Sequence, residues 1–255
     1  REDWRRRSQP APASQRGGAH HPTDVGGGRK PWWMRRMIQA AYGVAFRTLA
    51  RGYQLYHEPN HIPVRSRLPT VTTIHDLSVI VHPEWHPADR VAWYERDFQR
   101  GLRQTRVFLA ASEFTRREMT TRLGIPAERI VVSYQAPRDE FRPASPDGQR
   151  TVRAELDVPD RYFLYVGTLE PRKNVNGLLD AYAALPLELR CRHPLLVAGA
   201  WGWKADALRH LLDRQDRAAH VRLLGYMRDS QLAALYSGCT ALVWPTWYEG
   251  FGLPP

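Results

Sequence analysis

The sequence predicts an α/β chain made of two doubly wound, parallel-sheet domains that face a cleft. Three observations carry this. From Arg161 onward, short apolar runs alternate strictly with helical stretches. Those runs lack the period-two alternation of a sheet with one wet face, so they read as strands covered on both faces. A stretch rich in Pro, Asp and Arg, Ala136 to Arg150, has no apolar period and separates this series from an earlier one of the same kind.

In the earlier series, "TVTTIHDL", "VFLAAS" and "RIVVSY" read as strands, and "ADRVAWYERDFQRGLRQT" and "EFTRREMTTRLG" as helices, the second ended by Gly124 and Pro126. In the later series the strands are "RYFLYVGTL", "HPLLVAGAW", "HVRLLGY" and "TALVWPTW". The helices between them are "NVNGLLDAYAAL", "ADALRHLLDRQ" and "DSQLAALYSG". Ahead of both series, Trp33, Met37, Ala41, Ala45 and Leu49 recur at spacings of four, the stripe of an amphipathic helix. Packing on its own domain is the favoured role for that helix. With Arg35, Arg36 and Arg47 nearby, lying on an anionic membrane surface is the alternative.

The organisation expected is a disordered basic tail over 1–30, a first domain over 31–140, a linker over 141–160 and a second domain over 161–255. Residues 8–28 offer almost nothing to bury, hence the disorder. Residues 1–36 hold nine basic side chains against three acidic ones, so more than half of the net charge of +11 sits at one end. That distribution argues against a nucleic-acid-binding body, which would carry its charge on one folded face. No run approaches the ~20 apolar residues that span a bilayer, and no secretory signal is recognisable, so a cytoplasmic setting is expected. Cys191 and Cys239 stand alone, which supports neither a disulfide framework nor a zinc site.

Ligands of doubly wound sheets lie beyond the carboxyl ends of the strands, so the loops there are the ones to read. "GTLEPRKN" gives Gly167 a turn and brings Arg172 and Lys173 to the start of a helix that Asn174 can cap. Two cations beside unpaired N–H groups suit a diphosphate; a solvated basic turn is the plain alternative. Lys173 is one of only three lysines in a chain that otherwise uses Arg, which favours the ligand. In "PTWYEGFGLPP", Gly250 and Gly252 allow close backbone approach and Glu249 can accept hydrogen bonds from sugar hydroxyls; a bare turn with Glu249 in water is the alternative. "TIHDLS" sets His75 and Asp76 at a strand's carboxyl end, where a histidine can hydrogen-bond or shuttle a proton; taken alone, a satisfied structural histidine is the favoured reading. Ser112 and Glu113 in "SEFTRRE" sit at another such junction and can be caps. No Asp-x-Asp, Walker-type loop, Gly-x-Ser-x-Gly or His-Glu-x-x-His is present.

Taken together, "FLYVGTLEPRKNVNGLLDAY", "LLGYMRDSQLAALYSGCTALVWPTWYEGFGLPP", "TIHDLS" and "ASEFTRRE" resemble, in order from about Tyr56 to Pro255, the retaining glycosyltransferases of family 4. The resemblance implies the GT-B fold, two Rossmann-like domains facing a cleft, with an acceptor-side domain first and a donor-binding domain second. It implies that Arg172 and Lys173 hold the donor diphosphate and stabilise it as it leaves without a metal. Glu249 matches the first acid of the Glu-x7-Glu motif, which contacts the donor sugar, with the backbone of Gly250, Phe251 and Gly252 beside it. Gly225 and Tyr226 match the segment lining the nucleotide base, and His75 a histidine near the reacting anomeric carbon.

The implied reaction moves a hexose, with mannose from a GDP donor as one candidate, from a nucleotide-diphospho sugar to a saccharide or lipid-linked acceptor with retained configuration. No cofactor beyond that donor substrate and no nucleic acid is implied. The motif's second acid belongs at position 257, and the opening strand and its Gly-rich loop are not recognisable. Both domains are therefore expected to be incomplete here. "VGGGRK" lacks a preceding apolar strand and is not taken for that loop. Two alternatives stay open: a nucleotide-sugar epimerase of the same architecture, and a basic protein that binds nucleic acid or a membrane surface.

Overall fold

The structure is a computed structural model that describes residues 41, 43–46, 48–213 and 220–254. The chain divides into two compact units, Arg1–Tyr53 and Gln54–Pro255. In the first, residues 41, 43–46, 48 and 49 are helical, and the stripe positions Ala41, Ala45 and Leu49 are exposed rather than packed. The 1–30 tail, its "VGGGRK" segment, and Trp33 and Met37 lie outside the described residues.

The second unit holds two four-stranded parallel sheets. The first takes β1 (Tyr56–Glu58), β2 (Thr70–Ile74), β3 (Thr105–Ala110) and β4 (Ile130–Val132) in that order. Between its strands lie the short α1 (Ser78–Val81), then α2 (Ala88–Gln104) and α3 (Glu113–Leu123). One face of this sheet builds a core from Ile74, Phe108, Ile130, Phe98 and Met119. The buried hydroxyls of Thr72 and Thr105 satisfy each other at 2.7 Å, and Thr105 donates onward to the Gly101 carbonyl at 2.8 Å.

The second sheet is built from β5 (Phe163–Val166), β6 (Leu195–Ala198), β7 (Val221–Gly225) and β8 (Ala241–Leu242), in the order β7-β6-β5-β8. Neighbouring side chains on one strand go to opposite faces, as both-sided burial requires. Tyr165, Leu195 and Val197 join the core under α5 (Val175–Ala183) and α7 (Asp206–Asp213). Leu164 and Leu196 join a second one with Val158, Tyr162 and Leu235. The order reverses between β5 and β8. The loops leaving those two strands therefore open at a topological switch point, where doubly wound sheets bind ligands.

Three elements depart from the expectation. The 141–160 segment is not a bare linker, because it contains α4 (Pro146–Leu156). Ser145 accepts the Gly148 N–H and Pro146 opens the first turn, so a composition that resembles a loop is in fact a helix start. Its end joins Val158 in packing against Leu235 on α8 (Asp229–Gly238). A short α6 (Leu187–Arg192) interrupts the strict alternation between α5 and β6. β1, three residues long at the sheet edge, is too brief to show a period.

Leu196 has no exposed surface and fills the second face of the later sheet. Leu196→Ala is expected to cost about 2–5 kcal/mol, read as a lower urea midpoint at unchanged slope.

Candidate functional site

The loops after β2, β5 and β8 converge with the start of α3. After β5, a single turn of tighter helix, Pro171–Lys173, carries both cations inward, and Lys173 is buried. Its ammonium stands 4.8 Å over the Trp244 ring, which itself stacks on Tyr165 of β5. Lys173 Nζ donates to Glu249 Oε1, as does the Thr246 hydroxyl at 2.9 Å, while Arg172 Nη1 reaches Glu249 Oε2 at 3.3 Å. Glu249 is thus locked to the cation pair rather than turned to water.

Arg172 has two further carboxylate partners. Glu170 Oε1 accepts from Nε at 3.1 Å and from Nη2 at 3.0 Å, and Asp76 Oδ2 lies 3.3 Å from Nη1. Burial alone would lower the proton affinity of Arg172; Asp76, then Glu170 and Glu249, more than offset it. Burial likewise pushes the Asp76 carboxyl up, but its Ser78 hydrogen bonds and the Arg172 charge hold it below its usual value. The Arg172 carbonyl accepts the Trp247 N–H at 3.0 Å, so the two loops are joined along their backbones as well. Asn174 does not cap α5. Its backbone is left-handed (φ 53°), its side chain makes no cap hydrogen bond, and its Nδ2 donates to the Pro245 carbonyl at 3.0 Å.

The first sheet meets this cluster through main chain. A Cβ on Gly250 would fall 1.8 Å from the His75 carbonyl oxygen, so only glycine allows the approach. Ser112 caps α3 by accepting the Thr115 N–H, and its hydroxyl also donates to the Gly250 carbonyl. The Thr115 hydroxyl lies 3.1 Å from Gly250 O and 3.3 Å from His75 O. Beside it, the Leu77 N–H donates to the Tyr248 hydroxyl at 3.2 Å, which donates to Glu118.

His75 lies under this seam with both ring nitrogens engaged. Nε2 pairs with the Pro59 carbonyl at 3.0 Å, an acceptor only, so Nε2 carries the proton; Nδ1 then accepts from Gln135 Nε2 at 3.0 Å. The ring is held in a fixed orientation by these two partners. The His75 N–H donates to His61 Nε2 at 3.4 Å, and the buried Nδ1 of His61 has no hydrogen-bond partner among the described residues. Burial lowers the His61 pKa from 6.5 to about 4, with Asp76 partly opposing the shift.

Arg172, Lys173, Glu249, Gly250 and the His75 backbone are therefore brought together. Gly167 ends β5, where a Cβ would crowd the Tyr165 hydroxyl and the Trp244 ring. Gly225 (φ 71°) ends β7, and Tyr226 beyond it is 68% exposed. Both belong to the same strand-end rim but lie two strands from β5, about 10 Å away. Phe251 faces Tyr134 at 6.2 Å between ring centres, and Gly252 (φ 90°) borders open space. Sequence reasoning gave no role to Asp76, Glu170, Thr246 or Gln135, nor to Gly199, where a Cβ would strike the Gly167 carbonyl oxygen at 1.9 Å. Asp76 and Glu170 at least sit inside the quoted motifs.

Two parallel-sheet α/β halves with strand ends meeting at a buried cation pair define the GT-B class, and solved structures agree. The chain superposes on WaaG, described as a glycosyltransferase involved in lipopolysaccharide biosynthesis, with a TM-score of 0.67 at 16% identity. The match covers 91% of this chain and 65% of that one. It superposes on Anabaena HepE, solved with UDP and glucose, with a TM-score of 0.61 at 20% identity over 85% of this chain and 58% of that one.

The family model for Glycosyltransferase Family 4 matches residues 4–136, and that for Glycosyl transferases group 1 matches residues 149–255. The chain belongs to glycosyltransferase family 4. Among curated relatives, the O-antigen chain mannosyltransferase B of Escherichia coli is 41% identical over 202 residues, covering 78% of this chain and 53% of the relative. A D-inositol 3-phosphate glycosyltransferase of Streptomyces scabiei is 35% identical over 137 residues, 50% of this chain and 30% of the relative. The chain thus spans about half the length of the first relative and less of the second.

Two outcomes are expected. Gly250→Ala must drive the 248–252 loop off the His75 backbone, costing at least about 1–3 kcal/mol in a thermal or urea unfolding experiment. His61 titrates near pH 4 when folded and near 6.5 when unfolded, so the unfolded chain binds the extra proton between those values. Stability should therefore fall as pH drops through that window, on the order of 3 kcal/mol in all. His61→Asn, which tolerates the left-handed backbone there, should flatten that part of the profile.

Proposed function

We propose that this chain forms the donor-gripping core of a retaining glycosyltransferase that moves a hexose, with mannose as the candidate, from a nucleotide-diphospho sugar to a saccharide acceptor in polysaccharide assembly. The observation that carries the reading is the convergence of Arg172 and Lys173 on Glu249 at the switch point beside β5. The 41% identity to an O-antigen mannosyltransferase supports mannose and a growing saccharide chain.

In the reaction, the bond from the anomeric carbon to the diphosphate oxygen breaks as the acceptor oxygen bonds to that carbon from the same face. The acceptor's proton passes to the leaving phosphate oxygen. Arg172 and Lys173 stabilise the charge that grows there, without a metal and without a cofactor, and Glu249 is placed to receive donor-sugar hydroxyls. His75, held at both ring nitrogens, positions the backbone beneath the sugar. An acceptor carried on a lipid would bring the protein to the cytoplasmic face of the membrane, and the positive charge within residues 1–36 suits that surface.

The test is a thermal-shift series with GDP-, UDP-, ADP- and dTDP-sugars and no added metal. One donor class should raise the melting temperature by a few degrees. Arg172→Ala and Lys173→Ala, each compared with its own unliganded baseline, should lose that rise. No rise with any donor from the folded protein would remove the reading, and free sugar released without an acceptor would favour an epimerase.

A further inference from the structure

We propose that Asp76 is a positioning residue of the cation pair: it holds Arg172 Nη1 while no diphosphate is present, and an arriving diphosphate takes its place. The proposal rests on the nucleotide-sugar reading above.

The argument begins with charge. Two cations, Arg172 and Lys173, face three carboxylates, Asp76, Glu170 and Glu249, in a cluster whose side chains are at most 20% exposed. The cluster already carries a net negative charge. A diphosphate adds more, in surroundings where like charges repel far more strongly than in water. Nη1, with two protons, already faces Asp76, Glu249 and the Tyr248 carbonyl, so phosphate oxygens gain that nitrogen by replacing one of the two carboxylates, which also relieves the repulsion.

The three are not equally free to leave. Glu170 takes both Nε and Nη2 of Arg172 from the same loop and is only 3% exposed, so releasing it would strand a buried charge. Glu249 is fastened twice more, by Lys173 and by the Thr246 hydroxyl. Asp76 Oδ2 has Arg172 alone among the described residues, while Oδ1 is separately held by the Ser78 N–H at 2.8 Å and the Ser78 hydroxyl at 2.7 Å. Asp76 can let go of Arg172 and remain hydrogen-bonded. It is also the one carboxylate of the three supplied by the first sheet, so the exchange unfastens a side-chain tie between the sheets while leaving the Gly250 seam in place.

The experiment measures the dissociation constants of GDP and of inorganic pyrophosphate for the wild-type chain, Asp76→Asn and Asp76→Ser by calorimetry, without added metal. Both replacements keep an acceptor for the Ser78 N–H and remove the rival charge. Both should bind each probe three- to thirtyfold more tightly than wild type. A role in folding alone predicts the opposite direction, since loosening the cluster weakens binding. Unchanged or weaker binding, in a variant that unfolds cooperatively, overturns the proposal while wild-type binding leaves the nucleotide-sugar reading standing. Absence of binding in all three proteins overturns both.

Discussion

A guanidinium taken out of water is the constraint around which the second unit is arranged. Removing an ion from solvent costs several kcal/mol even after relaxation, and only close, well-aimed partners restore it. Arg172 draws its partners from three separate segments: Glu170 from its own loop, Glu249 from the loop after β8, and Asp76 from the loop after β2. Each must arrive within hydrogen-bonding distance, and the strand order allows it. With β8 placed beside β5 rather than beyond β7, the loop carrying Glu249 leaves its strand next to the one carrying Arg172. The bond from the Trp247 N–H to the Arg172 carbonyl and the one from the Asn174 side chain to the Pro245 carbonyl then fix the spacing.

Much of this was legible in the sequence, for identifiable reasons. Strands β5 and β6 lie in near-continuous apolar runs because both of their faces are covered, whereas β7, at the sheet edge, keeps the apolar run with Leu223 exposed. α3 announces its limits through Ser112 and Gly124, both of which act as read. α4 was hidden because Ser, Pro and Asp start helices as readily as they fill loops, and only its packing against α8 decides between the two. Arg172, Lys173 and Glu249 could be singled out from loop position and residue rarity. Their mutual pairing could not, since it joins residues 76 and 77 positions apart. Asp76 lies still further from Arg172 in sequence, and nothing local distinguishes it from an ordinary helix-starting aspartate, a part it also plays through Ser78.

His75 shows how a residue type can suggest one chemistry and its surroundings another. A histidine at a strand's carboxyl end invites a proton-transfer role, yet Pro59 and Gln135 occupy both ring nitrogens. What the site takes from this residue is the placement of its carbonyl, around which Thr115 and Gly250 are gathered. The two sheets accordingly contribute differently: the second supplies the cations with Glu170 and Glu249, and the first supplies Asp76, the His75 carbonyl and the hydroxyls at the start of α3.

The contact at Gly250 sets main chain against main chain, bridged by the short hydroxyls of Ser112 and Thr115, which have little length to adjust. Such a point cannot slide without losing its fit, but it can act as a fulcrum. Any tilt of one sheet against the other would leave Arg172 and Glu249 nearly stationary and carry the distant rim, where Gly225 and Tyr226 end β7, through the widest arc. The spacing within the Arg172–Glu249 cluster would then stay constant from one posture to the next, while the outer rim alone moves.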